Sequence, residues 1–411
     1  MEINNSYYIT TFGCQMNHSD SERISSSLEK QGYKPASKID EAGLIVVNMC
    51  SIRQSAVDRV YGLAFNLKKL KPGVKTILTG CILNKDKNKF LKNFNFVLDI
   101  NDFLKTENYL RIRPKYSNNF SALVPISDGC NNFCSYCVVP FTRGPLVCRD
   151  HEEILKEIEN IIKKGFKEIW LLGQNVNDYV SPSDANINFA KLLKLTDDLS
   201  ENIWIRFTSP HPQYFSNELI EVIARSKNIT PYLNLPVQSG DDKILKKMKR
   251  PYSVSDYKRL VKKIRNKIPS IVLSTDVIVG FPGETKQEFQ NTVKLFEEIK
   301  FDMAYISKYS PRSGTSAEKM QDNVSQEEKD KRREILTEIL RKTALASNKK
   351  YIGKVIDVLI MKYKEGVLMG KSRDYKTVKF QGTENQIGKL VKVEIIDALS
   401  WGLKGKSSTE K

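Results

Sequence analysis

Short apolar runs alternate with amphipathic helical segments through most of this 411-residue sequence, and this alternation restricts the possible folds more than any other feature. A strand, a helix and a second strand in succession require parallel pairing with crossover connections. In the first third, the pattern predicts strands at 7–11, 44–48, 74–78 and 94–100, and helices at 19–31 and 55–69. We therefore expect an α/β protein whose N-terminal domain is built on a parallel sheet.

The middle of the chain continues the alternation at regular spacing. Strands are predicted at 122–126, 169–172, 204–207, 232–237, 271–279 and 303–307, and helices at 152–164, 189–199, 218–225, 257–268 and 288–299. Six strand–helix units in succession are typical of a partial or closed parallel barrel. A charged helix is predicted over 325–349.

The last 60 residues or so change to a period of two with frequent glycines, which indicates a small β-barrel. Antiparallel strands are predicted at 355–360, 366–369, 377–380 and 390–395. Many Lys and Arg, with Tyr363, Tyr375, Phe380 and Trp401 as stacking surfaces, favour RNA binding, and a dimerisation or packing domain is the alternative. A basic, turn-rich stretch at 111–119 is interpreted as a linker. The predicted domains are residues 1–113, 120–345 and 350–411.

The charge balance is strongly basic, with 66 Lys and Arg against 48 Asp and Glu and a net charge of +18. This excess favours a polyanionic partner, nucleic acid before membrane, although a lysine-rich surface alone would also produce it. No apolar run is long enough to span a membrane, and the first residues resemble no signal peptide. We expect a cytoplasmic protein with reduced thiols, and the odd number of cysteines, seven, argues against a disulfide framework.

Three cysteines within eight residues, Cys130, Cys134 and Cys137, follow the first predicted strand of the middle block. Thiolates suit zinc or iron–sulfur clusters. Structural zinc normally takes four ligands, but no second local pair exists and the chain has three histidines. The ferredoxin spacing is also absent. Three thiolates on a four-iron cluster would leave one iron open to a small ligand; chance clustering of buried cysteines is the alternative.

Cys14, Cys50 and Cys81 are far apart in sequence but each follows a predicted parallel strand. The carboxyl ends of parallel strands share one edge of the sheet, where ligands bind in open α/β sheets. We therefore expect a second three-thiolate cluster with an open iron, and three unrelated buried thiols are the alternative. Cys148 has no partner at ligand spacing and is interpreted as structural.

The spacing of Cys130, Cys134 and Cys137 after the first strand of a (β/α)6 pattern resembles the radical S-adenosylmethionine (SAM) superfamily. More specifically, nearly the whole chain resembles the MiaB-type methylthiotransferases. The segments that carry this resemblance are 11–17 (TFGCQMN), 50–53 (CSIR), 136–144 (YCVVPFTRG), 206–212 (RFTSPHP) and 235–240 (LPVQSG), while 170–175 (WLLGQN) and 277–284 (VIVGFPGE) resemble SAM-binding segments of the wider superfamily. The resemblance implies an N-terminal methylthiotransferase domain, a radical SAM domain and a C-terminal TRAM domain.

By this resemblance, the protein adds a methylthio group to carbon 2 of N6-isopentenyladenosine at position 37 of tRNA. It implies two [4Fe–4S] clusters and two SAM molecules. The cluster on Cys130, Cys134 and Cys137 splits one SAM to a 5′-deoxyadenosyl radical, which removes the hydrogen. The cluster on Cys14, Cys50 and Cys81 presents a sulfur that the other SAM methylates. SAM would be lined by Tyr136, Gly173, Gln174, Asn175, Ser209, Gln238, Ser239, Ile278 and Gly280, each of which could also be an ordinary structural residue.

The implied partners are the tRNA anticodon loop, an external electron donor and a sulfur donor, with a monomer expected and no membrane partner. Several positions depart from the family pattern: Met49, Pro145, Leu146, Cys148 and Asn234. The alternatives are a methylthiotransferase for threonylcarbamoyl-adenosine in tRNA or for a ribosomal protein, and a non-catalytic RNA-binding iron–sulfur sensor. The stretches 15–17 and 51–53 favour the isopentenyl branch. Arg143 is interpreted as a contact to tRNA or cofactor, or as a surface salt bridge, and His211 as structural.

Overall fold

The computed structural model of the chain describes residues 5–52, 54–67, 73–106 and 108–408. Outside the described residues lie Arg53 of the 50–53 motif, the last two residues of the helix predicted over 55–69 and the last three residues of the domain predicted over 350–411. None of the described helices combines the length and apolar character that a membrane crossing requires.

The N-terminal domain is an all-parallel sheet in the order β2-β1-β3-β4-β5. Its strands are β1 (Ser6–Phe12), β2 (Lys34–Pro35), β3 (Leu44–Cys50), β4 (Lys75–Cys81) and β5 (Phe96–Val97). Its helices are α1 (Gln15–Lys30), α2 (Gln54–Leu67), α3 (Asn84–Phe90) and α4 (Ile100–Leu104). The predicted parallel sheet is confirmed, although the run 94–100 forms only a two-residue strand before α4 begins. Because β2 and β3 lie on opposite sides of β1, the topological switch point lies between β1 and β3.

The central domain is a partial parallel barrel. Its strands and short hairpin are β6 (Ser121–Pro125), β7 (Ser127–Asp128), β8 (Val147–Cys148), β9 (Glu168–Leu172), β10 (Trp204–Phe207), β11 (Tyr232–Asn234), β12 (Val272–Val279) and β13 (Met303–Lys308). Two three-stranded sheets, β6-β9-β10 and β11-β12-β13, are joined by a parallel bridge between Ile205 and Ile229. Within the described part of the chain, β13 and β6 do not pair, so the barrel stays open on that side. β11 is shorter than the strand predicted over 232–237.

The longer helices of this domain cover the outer face of the barrel: α6 (His151–Lys163), α7 (Phe189–Asp197), α8 (Asn217–Arg225), α10 (Val254–Lys267) and α11 (Lys286–Ile299). Two short helices, α5 (Val139–Thr142) and α9 (Asp242–Lys247), lie apart from this layer, and α5 contacts β4 of the N-terminal domain. Ile154, Ile158 and Ile161 of α6 are fully buried because their spacing puts them on one helical face. In β9, Ile169 and Leu171 join this core, whereas Trp170 faces the other side and packs with a separate cluster.

The C-terminal domain is a closed five-stranded barrel that follows α12 (Gln326–Lys349). Its strands are β14 (Val355–Lys364), β15 (Val367–Ser372), β16 (Thr377–Gln381), β17 (Leu390–Leu399) and β18 (Gly402–Ser407). The small barrel is confirmed, but β18 was not predicted, and it pairs in parallel with β16 rather than antiparallel. The interpretation of Phe380 as a stacking surface is wrong because it is buried in the barrel core, whereas Trp401 is 55% exposed.

Candidate functional site

Cys14, Cys50 and Cys81 end three neighbouring strands of the N-terminal sheet. Cys50 and Cys81 are the last residues of β3 and β4 and lie opposite each other in the strand register. Cys14 follows β1 by two residues and caps the N-terminus of α1. The fold therefore brings the three strand ends together, as the sequence predicted, beside the switch point between β1 and β3. We refer to these three residues as the N-terminal trio.

Two buried asparagines hold the loops of the N-terminal trio. The Cys14 backbone N–H and its thiol donate to Oδ1 of Asn17, at 3.2 and 3.4 Å. Asn17 Nδ2 donates to Oδ1 of Asn48 at 3.0 Å, and Asn48 Nδ2 donates to the Asn17 carbonyl at 2.8 Å. Gly80 has φ of 100°, and a Cβ there would lie 2.3 Å from Asn48 Oδ1. This close packing fixes the direction in which the three thiols point.

Two thiols of the N-terminal trio, Cys50 and Cys81, interact directly. A hydrogen bond from Cys81 lowers the pKa of Cys50, and the same bond, together with burial, raises the pKa of Cys81 well above its ordinary value. Cys50 and Cys81 are buried, whereas Cys14 is exposed. The two strand-end sulfurs are therefore adjacent, and the third faces open space.

Arg143 joins the N-terminal trio to the central domain. Its Nε donates to the Cys81 sulfur at 3.0 Å, and its other nitrogens pair with Asp20 at 2.6 Å and Asp128 at 3.0 Å. Tyr109 receives a bond from Nη1 at 3.1 Å. The Arg143 side chain is only 6% exposed, so the interpretation as a surface salt bridge is wrong. Arg143, from the loop after α5 in the central domain, is therefore a buried cation that contacts the Cys81 sulfur of the N-terminal domain.

Cys130, Cys134 and Cys137, the central trio, lie in the loop between β7 and α5. The Cys137 N–H donates to the Cys134 carbonyl at 3.0 Å, and Ser135 Oγ donates to the Lys247 carbonyl at 2.8 Å. Burial raises the pKa of the Cys137 thiol to about 12. The loop is thus a tight turn that is held from the side by the end of α9.

Arg250 is a charged residue that the sequence analysis missed. It is 8% exposed, its Nη1 lies 3.4 Å from the Cys134 sulfur, and its other groups bond to Tyr252 and to the Pro236 carbonyl. None of the ion pairs among the described residues gives it a carboxylate. A buried cation without a carboxylate favours an anionic ligand beside it. No local sequence signal distinguishes Arg250 from other basic residues.

The buried polar groups around the central trio are incompletely bonded. Among the described residues, five of the buried side-chain atoms that have no hydrogen-bond partner belong to this region: Ser127 Oγ, Asn132 Nδ2, Gln174 Oε1, Asn175 Oδ1 and His211 Nε2. They follow β6, β9 and β10, at the carboxyl ends of the barrel strands. Because buried polar groups are normally satisfied, this collection indicates a polar ligand. Burial lowers the pKa of His211 to about 3, so its ring is neutral.

The residues proposed to line SAM lie in several places. Gly173, Gln174 and Ser209 line a cavity of about 360 Å³, whereas Tyr136 and Ile278 pack beside Phe281 in a small apolar cluster. The remaining four belong to neither place: Asn175, Gln238, Ser239 and Gly280. Gln238 and Ser209 both have positive φ, 71° and 53°, a conformation that concentrates at functional sites. Ser239 is fully buried, and the Gly280 N–H donates to Glu284 at 2.6 Å.

The cavity is formed by all three domains. Its lining includes Cys14 and Cys50 from the N-terminal trio, Gln174 and Ser209 from the barrel, and Tyr375 from the C-terminal domain. Asn234, which departs from the family pattern, also lines it and donates to Asp276 at 2.9 Å. One space therefore connects the N-terminal trio with the strand ends that carry the unsatisfied polar atoms.

The donor chemistry of both trios fits a multinuclear cluster better than a single ion. No three Cys, His, Asp or Glu side chains among the described residues are close enough to hold one metal ion. In an iron–sulfur cluster each iron takes its own thiolate, so the ligands surround a volume and need not meet at one point. Each trio has three thiols, an adjacent arginine and, among the described residues, no carboxylate ligand. This set is compatible with such a cluster.

Family models match three parts of the chain. The Radical SAM superfamily matches residues 124–296, the uncharacterized protein family UPF0004 matches residues 6–100, and the TRAM domain matches residues 349–407. Along the chain, these matches correspond to the parallel sheet, the central barrel and the small C-terminal barrel, which is the order that the resemblance implied.

Curated relatives match the chain along almost its whole length. Proteins named tRNA-2-methylthio-N(6)-dimethylallyladenosine synthase from Clostridium botulinum and Thermoanaerobacter pseudethanolicus are each 39% identical over 97% of this chain, covering 96% and 92% of their own lengths. The protein of that name from Clostridium novyi is 37% identical over 98% of this chain and 96% of its own length.

Solved structures support the fold. The radical S-adenosylmethionine methyltransferase TsrM from Kitasatospora setae, with cobalamin and a [4Fe-4S] cluster bound, has a TM-score of 0.52 at 12% identity. The match covers 89% of this chain and 80% of that chain. At this identity the similarity concerns the fold alone.

Proposed function

This chain belongs to the family of tRNA-2-methylthio-N(6)-dimethylallyladenosine synthases, and from that membership we propose that it attaches a methylthio group to carbon 2 of N6-isopentenyladenosine at position 37 of tRNA. It is an enzyme of the radical SAM superfamily, with SAM and iron–sulfur chemistry, and tRNA is its substrate. The observation that carries the site assignment is the cavity that Cys14 and Cys50 share with Gln174 and Ser209.

We assign the central trio to the cluster that binds SAM and the N-terminal trio to a second cluster. Arg250 supports the first assignment, because a buried cation 3.4 Å from Cys134 stabilises negative charge on the cluster or on the carboxylate of SAM. Arg143 supports the second in the same way, at 3.0 Å from Cys81. When bound, the two clusters and SAM would supply the chemistry that removes the carbon-2 hydrogen and attaches a methylated sulfur to that carbon.

The chain's own residues position the reactants. The unsatisfied oxygens of Gln174 and Asn175 are suited to accept from the amino group of SAM, and the neutral His211 offers its Nε2–H because its Nδ1 accepts from the Gln213 N–H at 3.3 Å. Gly173 leaves room there, since a Cβ would lie 2.6 Å from Ser127 Oγ. A base in a single-stranded loop can be turned out into such a cavity without opening a duplex.

Several finer points belong to the same proposal. We propose the domain bounds 1–113, 120–345 and 350–411, a monomer in the cytoplasm, and the anticodon loop as the part of tRNA that enters the cavity. An electron donor and a sulfur donor are required by the chemistry. The alternatives, a threonylcarbamoyl-adenosine or ribosomal-protein methylthiotransferase and a non-catalytic sensor, are not favoured, because the relatives named above all bear the dimethylallyladenosine name.

The test is an anaerobic assay with reconstituted protein, SAM, a reductant and tRNA that bears isopentenyladenosine, followed by mass analysis of nucleosides. A gain of one methylthio group supports the proposal. Deoxyadenosine without that gain assigns the enzyme a different substrate. If neither product forms although both clusters are present by iron content, the sensor alternative is favoured.

A further inference from the structure

The turn between β15 and β16 of the C-terminal barrel packs against the beginnings of the central barrel strands. Arg206 of β10, which is buried and bonded to Glu168, donates to the Arg373 carbonyl at 2.8 Å and to the Ser372 carbonyl at 3.0 Å. Lys376 pairs with Asp302 at 3.0 Å in a buried ion pair. These contacts hold the turn in this position.

Tyr375 stands at the inner end of this turn. Its ring centroid lies 4.6 Å from that of Tyr232 and 5.1 Å from that of Trp170, and the Arg206 guanidinium lies 5.0 Å from it. Its φ is 70°, a value that residues other than glycine seldom adopt. Tyr375, which the sequence analysis offered as a stacking surface for RNA, faces the cavity that contains Cys14.

The cavity wall around Tyr375 is mostly aromatic and apolar, and its polar members, Asn234 and Asp276, are bonded to each other. Its aromatic and apolar residues are Trp170, Leu172, Phe207, Tyr232, Tyr305 and Tyr375. Tyr232 is the first residue of β11 and Trp170 lies within β9, so these two rings, which Tyr375 contacts, are deeper in the barrel than Gln174 and Ser209. An apolar group that enters past the thiols would be buried against it.

We propose that Tyr375 is a specificity-determining residue that contacts the N6 substituent of the target adenosine. The inference rests on the proposed function, which puts carbon 2 of the base near the N-terminal trio. N6 lies on the other side of N1 from carbon 2, so its five-carbon apolar substituent extends away from the thiols and into the aromatic wall. A substituent that ends in a carboxylate would lose solvation there. The C-terminal domain thus selects the modified base, besides binding RNA.

The test compares the affinity of cluster-loaded full-length protein for two stem-loop RNAs, identical except that one bears N6-isopentenyladenosine and the other adenosine. The wild type binds the isopentenyl RNA more tightly. Tyr375→Ala reduces the ratio of the two dissociation constants by about tenfold or more, whereas Tyr375→Phe retains it. Tyr375→Trp keeps an aromatic ring but fills the space for the substituent, so it also reduces the ratio. This variant replaces Tyr375→Ala in the test if the alanine variant unfolds. Trp401→Ala, the exposed aromatic control, weakens both RNAs equally.

The inference is overturned if folded Tyr375→Ala and Tyr375→Trp keep the wild-type ratio of the two dissociation constants. It is also overturned if these variants weaken the binding of both RNAs equally. In that case the wild type still discriminates and still methylthiolates, so the proposed function stands. A wild type that neither discriminates nor methylthiolates overturns both.

Discussion

The two cysteine trios are built in opposite ways and have different electrostatic surroundings. The central trio lies in one loop, whereas the N-terminal trio is collected from the ends of three strands. Each has an arginine beside a sulfur, but Arg143 is already paired with Asp20 and Asp128, and Arg250 has no carboxylate among the described ion pairs. The difference indicates that Arg250 is available to an anionic ligand, while Arg143 holds two domains together around a sulfur.

The largest expected effect is that of Cys134→Ala. Loss of one thiolate removes a ligand that the proposed SAM-binding cluster cannot replace from the described side chains nearby, so deoxyadenosine formation and methylthio transfer both fall below detection. Anaerobic turnover with separate quantification of the two products checks this. Retained deoxyadenosine formation would contradict the assignment of the central trio.

Cys50→Ala should separate the two activities. The central trio is intact in this variant, so deoxyadenosine still forms, but the cluster that presents the sulfur is lost and methylthio transfer stops. The same two-product assay measures both outcomes. Full methylthio transfer by Cys50→Ala would show that the N-terminal trio does not act as proposed.

Arg143→Gln tests the interdomain contact. It leaves the buried Asp20 and the partly buried Asp128 without their cation, and breaking a buried pair typically costs about 3–5 kcal/mol. Denaturant unfolding of the cluster-loaded protein measures the loss. Arg111→Gln is the matched control, because the exposed Arg111–Glu153 pair contributes about 1 kcal/mol or less. Equal losses in the two variants would argue against a special role for Arg143.

Arg250→Gln should weaken SAM binding while the protein stays folded. A charge-assisted bond of about 1.5–3 kcal/mol corresponds to roughly 10- to 150-fold in the dissociation constant. Equilibrium dialysis of SAM against the cluster-loaded variant measures it, and Arg259→Gln, an exposed arginine on α10, is the control. SAM affinity that equals that of the wild type would remove Arg250 from the site.

The smallest effect is expected for Cys148→Ala. This thiol lies in β8, apart from both trios, so iron content and both products should be unchanged, with a loss of stability of about 1 kcal/mol at most. Iron analysis and the turnover assay check it. A loss of iron in this variant would mean that cluster ligation extends beyond the two trios.

The sequence predicted those parts of the site that depend on local spacing or on strand direction. The central trio is adjacent along the chain, and the N-terminal trio follows from the rule that parallel strands end at one edge. Arg250 and Tyr375 could not be assigned in this way, because their positions depend on how separate segments pack. The strand β18 was missed because its glycines and lysines show little apolar alternation. Met49, which departs from the family pattern, is buried in the sheet core.

The central claim, that each trio holds its own cluster, is tested most directly by iron and sulfide analysis of anaerobically reconstituted protein. The wild type should contain about eight irons per chain, and a variant with alanine at Cys14, Cys50 and Cys81 should contain about four, as should one with alanine at Cys130, Cys134 and Cys137. If the first of these variants kept the iron content of the wild type, the N-terminal trio would hold no cluster, and the account would be contradicted.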